Sequence, residues 1–310
     1  MKRVIKIGTR DSQLAIWQGK EVQKQLAKQN IQSELIFIKS DGDIHLTQPL
    51  YELGVQGIFT KALDTALLNN EIDIAVHSYK DVPTSLAKNT VIASVLKRDT
   101  WQDVFISKEP MDELVKNKNL VVATSSTRRK AQWLNKYPTH QIENIRGNIN
   151  SRVKKLMENK DWSGTILSKA GVERINLQAP CFYNLDWMLP APAQGTVVVT
   201  SRINSDEVME ACQHFNDKET SICTGIEKDF LRNLMGGCTT PIGALAVFAN
   251  EKIYFRGNVL STDGLKRAEV EMFFEKNNLK DAGKIAAEKL KANGGDEILK
   301  ELKKLNHIDT

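Results

Sequence analysis

Two widely separated stretches of this chain begin in the same way, and the duplication restricts the available folds more than any other feature. KIGTRDSQLAIWQ (6–18) and VVATSSTRRKAQW (121–133) each read as an apolar strand, a turn rich in Thr, Ser and Arg, and a helix carrying a Trp. A strand leading into a helix, repeated, points to parallel α/β units. Asp11 or Ser12 suits the N-cap of the first helix, which leaves backbone N–H groups and the positive dipole end beside Arg10. That outlines an anion site, although a capped helix with a surface arginine fits the same residues. Two such units imply a cleft between domains, where ligands commonly bind.

The remaining elements fill in this plan. VIKIG (4–8), ELIFIKS (34–40) and VIASVLKR (91–98) read as strands, and TKALDTALLNN as a helix. In the first helix Leu14, Trp17, Val22 and Leu26 fall near helical spacing and are expected to face the core. After the second opening, IENIRGNIN and SGTILSKAGVERINL each carry a strand, with the helix SRVKKLMEN between them. Pro190 and Pro192 mark a crossing, and TVVVTS reads as a strand returning to the first domain. ETSICTGIEKDFLRNLM is an amphipathic helix expected to stop at Gly236–Gly237. Three strands and a closing helix, DAGKIAAEKLKAN, complete the chain. The expected architecture is two α/β domains around a cleft plus a small C-terminal α+β domain. Their expected extents are 1–98 with 194–213, 99–193, and 214–310.

Three features carry chemistry. In IDIAVHSYKDVP (72–83) an apolar strand runs into His77, Ser78, Lys80 and Asp81, and Pro83 ends the segment. Ligands sit beyond the carboxyl ends of strands in open α/β sheets, and a carboxylate beside an ammonium there is a candidate for catalysis. A solvated Lys–Asp pair at a strand end fits the same stretch. The second feature is arginine placement. The chain has 31 lysines and 12 arginines, yet Arg128, Arg129, Arg146, Arg152 and Arg174 crowd into 47 residues just after strands or in first helical turns. Guanidinium forks suit carboxylates or phosphates, and without GxxxxGK[ST] or GxGxxG a nucleotide is the weaker choice. Third, Cys238 lies in LMGGCTTPIG, where a thiol can serve as a nucleophile or attachment point, or simply be buried. Cys181, Cys212 and Cys223 lack that setting and read as structural.

A net charge of +5, from 43 basic and 38 acidic residues, is mild and spread along the chain. It favours local anion sites over a nucleic-acid surface. No run approaches a membrane span, no secretory signal is visible, and the cysteines lack metal-ligand spacing. A cytoplasmic protein with reduced thiols and neither metal, membrane nor nucleic acid as partner is expected.

Taken together, IGTRDSQLAIWQ, GIFTKALDTALLNNEIDIAVHSYKDVP, TSSTRRKAQ, IRGNINSRVKKL, AGVERINL, LPAPAQG and GGCTTPIGA resemble the hydroxymethylbilane synthase (porphobilinogen deaminase) family over nearly the full length. The resemblance implies two periplasmic-binding-protein-like domains and a third domain. It also implies a dipyrromethane cofactor, made from the enzyme's own substrate and held by a thioether to Cys238. Members join four porphobilinogen units head to tail, release ammonia at each step, and free linear hydroxymethylbilane with water. Loss of ammonia leaves an electrophilic azafulvene, and a fixed carboxylate stabilises the positive charge on pyrrole nitrogens and relays protons. Asp81 matches that carboxylate. The growing chain carries an acetate and a propionate on every ring, which calls for an arginine-lined cleft. The resemblance assigns cofactor contacts to Arg128, Arg129, Lys80, Ser78, Ser125, Ser126, Arg146, Gly147 and Ala170. It assigns substrate contacts to Arg10, Ser12, Phe59, Arg146, Arg152, Arg174 and Gln194, and it suggests a monomer.

The chain departs from the family pattern at several positions. Glu52 and Gln56 stand where lysines are usual, Val55 and Ala193 replace glycines, and Asp41 stands where a basic residue is common. Lost cations near a polyanion weaken carboxylate binding, so no binding role is carried to positions 52 and 56. The rival reading is a non-catalytic anion- or solute-binding protein of periplasmic-binding-protein type, which would carry no covalent adduct and release no ammonia.

Overall fold

Short runs of β-branched residues bounded by turns form the strands here, and the helices between them bury one face each. The computed structural model describes residues 4–39, 60–114, 119–235 and 240–308. Phe59, Cys238, Asp41, Glu52, Val55, Gln56 and the Gly236–Gly237 pair lie outside the described residues. The described chain divides into two compact units, one of 4–39, 60–99 and Gly195–Ile222, the other of Thr100–Gln194 and 223–308.

The first unit contains β1 (Ile5–Thr9), α1 (Gln13–Ala27), β2 (Ser33–Phe37), α2 (Lys61–Leu68), β3 (Ile74–Ser78), a 3-10 turn (Tyr79–Asp81) and β4 (Thr90–Val95). The second unit continues with β5 (Asp103–Ser107), α3 (Met111–Leu114), β6 (Val121–Ala123), α4 (Thr127–Lys136), β7 (Gln141–Glu143), α5 (Ile149–Glu158), β8 (Gly164–Ser168), α6 (Lys169–Arg174) and β9 (Cys181–Asn184). The chain then returns to the first unit as β10 (Val197–Arg202) and α7 (Asp206–Gln213).

The first sheet has the order β2-β1-β3-β10-β4, with β1 parallel to β2 and β3, and β10 antiparallel to β3 and β4. The second has the order β7-β6-β8-β5-β9, with β6 parallel to β7 and β8, and β5 antiparallel to β8 and β9. Counted within each unit the two orders are the same, 2-1-3-n-4, where n is a strand supplied from across the crossing. The duplication read in the sequence is therefore a duplication of topology. Both central strands, β3 and β10, are buried on both faces, as strands covered by helices on each side must be. Ile7, Val22, Leu26, Ile74, Val199 and Cys212 form the core on one face of the first sheet, and Leu63, Leu67, Ile72 and Ala75 that on the other. Arg202, at the end of β10, donates to the carbonyls of Leu67 and Ile72 at 2.5 and 2.7 Å, tying the inserted strand to the α2–β3 loop.

The C-terminal part comprises α8 (Lys218–Asn233), the antiparallel meander β11 (Ile242–Ala249), β12 (Lys252–Leu260) and β13 (Arg267–Glu275), then α9 (Ala282–Leu290) and α10 (Asp296–Ile308). Its core pairs Phe230 with Phe255 edge to face at 5.0 Å. Two sequence expectations are corrected here. Helix α8 ends at Asn233 rather than at the glycine pair, because Met235 takes the left-handed turn position, φ 54°. The chain also closes with two helices rather than one. Gly294, at φ 94°, breaks the first, and the amphipathic DEILKELKKL resumes with Ile298, Leu299 and Leu302 buried. Among the described residues no helix is long and apolar enough to cross a membrane.

Candidate active site

The polar residues of the first unit converge where β1 and β3 end. Ser12 caps α1 by accepting the Ala15 N–H at 3.3 Å, and the buried Thr9 hydroxyl donates to the Ala15 carbonyl at 2.9 Å. These bonds hold the helix N-terminus over the carboxyl edge of the sheet. Leu14, expected in the core, faces this edge instead, while Ala15, Gln18 and Gly19 are buried. Strand β3 runs two residues further than its apolar run suggests and takes in His77 and Ser78, because both pair with β10, opposite Val198 and Val197. The 3-10 turn then projects Asp81. Arg10, Ser12, Gln18, Thr60, His77, Ser78 and Asp81 line one pocket of about 80 Å³. Gln18 Nε2 donates to Ser78 Oγ at 2.8 Å, so the serine hydroxyl is oriented from behind. Burial, reinforced by the charge of Arg10, pushes the His77 imidazole down to about 4 and keeps it neutral at physiological pH. Asp81 and Lys80 are half-buried.

The second unit repeats the design with different electrostatics. Ser126 caps α4 by accepting the Arg129 N–H at 3.4 Å, and the Ser125 hydroxyl bridges to Ile145, donating to its carbonyl at 2.8 Å and accepting its N–H at 3.0 Å. That bridge brings the loop after β7, with Arg146 and Gly147, beside the loop after β6. Gly147 adopts φ 119°, which only glycine accepts readily, and a Cβ there would lie 2.3 Å from Ser151 Oγ. Arg152 Nε donates to the Gly147 carbonyl at 2.7 Å, and Lys155 Nζ to that of Arg146 at 3.0 Å. Ala170 is buried on α6, and Arg174 is half-exposed at its end.

Asp103 stands at the centre of this unit and was not singled out in the sequence. It opens β5, the antiparallel strand, which puts it opposite Ser168 at the carboxyl edge of β8 and under the start of α4. Arg129 Nε and Nη2 donate to Asp103 Oδ1 at 3.2 and 2.8 Å, and Arg129 Nη1 to the Ile166 carbonyl at 2.8 Å. Arg128 Nη1 lies 2.8 Å from Asp103 Oδ2 and donates to the Leu189 carbonyl at 2.6 Å. Gln194 Nε2 completes the group, donating to Asp103 Oδ1 at 2.9 Å and to the Trp101 carbonyl at 2.8 Å. All four side chains are buried. Burial works against the Asp103 carboxylate, yet the two guanidiniums outweigh it and hold the carboxyl well below the usual range. Burial pulls the Arg128 guanidinium below its usual basicity, with Asp103 opposing and Arg129 adding to the shift. Arg129 and Gln194, expected to contact cofactor and substrate, also direct N–H groups to partners inside the unit. The available signal was an acid opening an apolar run, WQDVFI, in a chain with two adjacent arginines.

A crossing residue explains one departure noted in the sequence. Ala193 sits at φ 65°, a left-handed position that suits glycine, and its N–H donates to Glu227 Oε2 at 2.6 Å. The other oxygen of the fully buried Glu227 accepts the Ala246 N–H at 2.7 Å, so one carboxylate clamps the crossing to β11.

Models of the porphobilinogen deaminase dipyromethane cofactor binding domain and C-terminal domain match residues 5–210 and 221–292. The chain belongs to the porphobilinogen deaminase family. Porphobilinogen deaminase of Desulforamulus reducens is 40% identical over 98% of this chain and 99% of its own length. That of Chlorobium phaeobacteroides is 37% identical over 98% and 99%, and that of Campylobacter jejuni serotype O:6 37% over 95% and 97%. Porphobilinogen deaminases are transferases of porphyrin biosynthesis, act on porphobilinogen and carry a dipyrromethane cofactor. The solute-binding alternative is not favoured. The residues fit such a cofactor. Its rings carry carboxylates, and the second unit offers two hydroxyls, a helix N-terminus, Arg146, and a buried cluster whose two guanidiniums outnumber its one carboxylate. Cys212 is no candidate for its attachment, because burial pushes that thiol up to about 12.

Proposed function

We propose that this chain condenses four porphobilinogen molecules head to tail, with Asp81 as the catalytic carboxylate and Cys238 as the covalent anchor of the dipyrromethane. The observation that carries the reading is Asp81 in one pocket with Arg10 and Ser12, at the carboxyl ends of β3 and β1. When bound, the cofactor supplies a pyrrole α-carbon as nucleophile. Asp81 provides a fixed negative charge where the substrate's aminomethyl C–N bond breaks and ammonia departs. A preorganised carboxylate at that point stabilises developing positive charge and can take up a proton. Arg10 and Ser12 bind a substrate carboxylate in the same pocket, with the N-terminus of α1 adding to their attraction.

Lys80, Ser78, Ser125, Ser126, Arg128, Arg146, Gly147 and Ala170 hold the cofactor, and Arg129 serves it by keeping Asp103 and the start of α4 in position. Arg146, Arg152, Arg174 and Phe59 bind the growing chain, while Gln194 acts through Asp103. The expected extents, 1–98 with 194–213, 99–193 and 214–310, define the three domains of this reading. The protein works as a cytoplasmic monomer without nucleic acid or membrane partners. Sedimentation at working concentration checks the monomer, and a dimer mass overturns it.

The intact mass of the purified protein tests the anchor. An excess equal to one dipyrromethane, mapped to the peptide holding Cys238 and missing in Cys238→Ser, is the expected result. A normal adduct in Cys238→Ser overturns the assignment.

A further inference from the structure

His77 is a buried titratable group of the first pocket that the roles above do not use. Its side chain is 6% exposed, lines the cavity with Arg10 and Asp81, and makes no hydrogen bond among the described residues. The ring is buried overall yet lines the cavity, so its polar edge is available to a ligand there. The lining it shares carries both kinds of group, the carboxylate of Asp81 and, with Arg10, Ser12 and the N-terminus of α1, a cation and hydrogen-bond donors. Burial first, and the charge of Arg10 second, disfavour imidazolium, so the ring stays neutral and keeps one N–H to give. A neutral donor beside a guanidinium extends the guanidinium's reach toward an anion without adding a second cation to the pocket.

We propose that His77 is a substrate-binding residue whose imidazole N–H donates to the carboxylate that Arg10 and Ser12 receive. The substrate is thereby held at both ends, its carboxylate by Arg10, Ser12 and His77 and its amine end by Asp81. The donor fixes which way round the molecule enters. This rests on the synthase reading of the same pocket.

Steady-state kinetics with porphobilinogen on cofactor-loaded enzyme test the idea. His77→Phe keeps a ring and removes the N–H. KM should rise about tenfold or more, the worth of a hydrogen bond to a charged group, with kcat within about twofold. His77→Gln, which returns an N–H at similar reach, should recover most of the loss. A fall in kcat at unchanged KM, or no change in either, overturns the proposal. A readout independent of turnover is the imidazole nitrogen spectrum of 15N-histidine-labelled Asp81→Asn protein. The His77 signals should shift on adding porphobilinogen, and signals unmoved at saturation overturn the proposal even if His77→Phe fails to fold. Should wild-type enzyme release no ammonia from porphobilinogen, the synthase reading fails by itself, and the spectrum still decides whether the carboxylate meets His77.

Discussion

Asp103 and Arg129 meet through two hydrogen bonds to a single oxygen, Nε at 3.2 Å and Nη2 at 2.8 Å, with both side chains buried. Arg128 takes the other oxygen. One carboxylate thus aligns two guanidiniums at the first turn of the helix that heads the second unit. Removing one partner of such a group leaves buried charge unmet, which costs more than the pairing itself contributes.

Asp103→Asn should therefore destabilise the protein by about 3–5 kcal/mol, measured by urea unfolding at neutral pH. The native carboxyl is depressed, so its stabilising effect is present above the unfolded carboxylate value and is lost as pH falls through the acid range. Wild-type stability should decline below about pH 5, and the Asn variant should show a flatter acid limb. An equally steep limb in both proteins would contradict the role given to Asp103.

Arg129→Lys tests the fork rather than the charge. A single ammonium cannot satisfy Asp103 Oδ1 twice and the Ile166 carbonyl as well. A loss of about 2 kcal/mol is expected, seen as a lower unfolding midpoint at unchanged slope. Wild-type stability in this variant would mean that charge alone suffices.

Asp81→Asn keeps shape and hydrogen bonding but removes the fixed negative charge. The adduct mass and unfolding midpoint should stay as in wild type, while ammonia release from porphobilinogen falls by about a hundredfold or more. Turnover within a few-fold of wild type would remove Asp81 from the chemistry.

Ala193→Gly relieves a left-handed residue at the crossing. Strain at such a position is about 1 kcal/mol, partly offset by the added freedom of glycine in the unfolded chain. A small gain, about 0.5 kcal/mol, is expected by thermal or urea unfolding, and a loss would show that the methyl group packs usefully there.

What the sequence determined by itself is local in character. Period-two apolar runs, the cap at Asp11 or Ser12 and the repeated strand–turn–helix openings depend on residues within a few positions of each other, so both α/β openings and the placement of Asp81 after β3 were legible. The family motifs added the chemistry. Tertiary structure decided whatever depends on which distant strands pair. Strands β5 and β10 enter their sheets antiparallel, and only that insertion puts Asp103 beneath Arg128 and Arg129, 26 residues away from the latter in the chain, and turns Arg129 inward. The same holds for the left-handed turn at Met235, the clamp from Glu227 to Ala193 and Ala246, and the final helix after Gly294. Such contacts close long loops, whose entropy is offset by burial and hydrogen bonding contributed by many residues together, so no single stretch of sequence announces them.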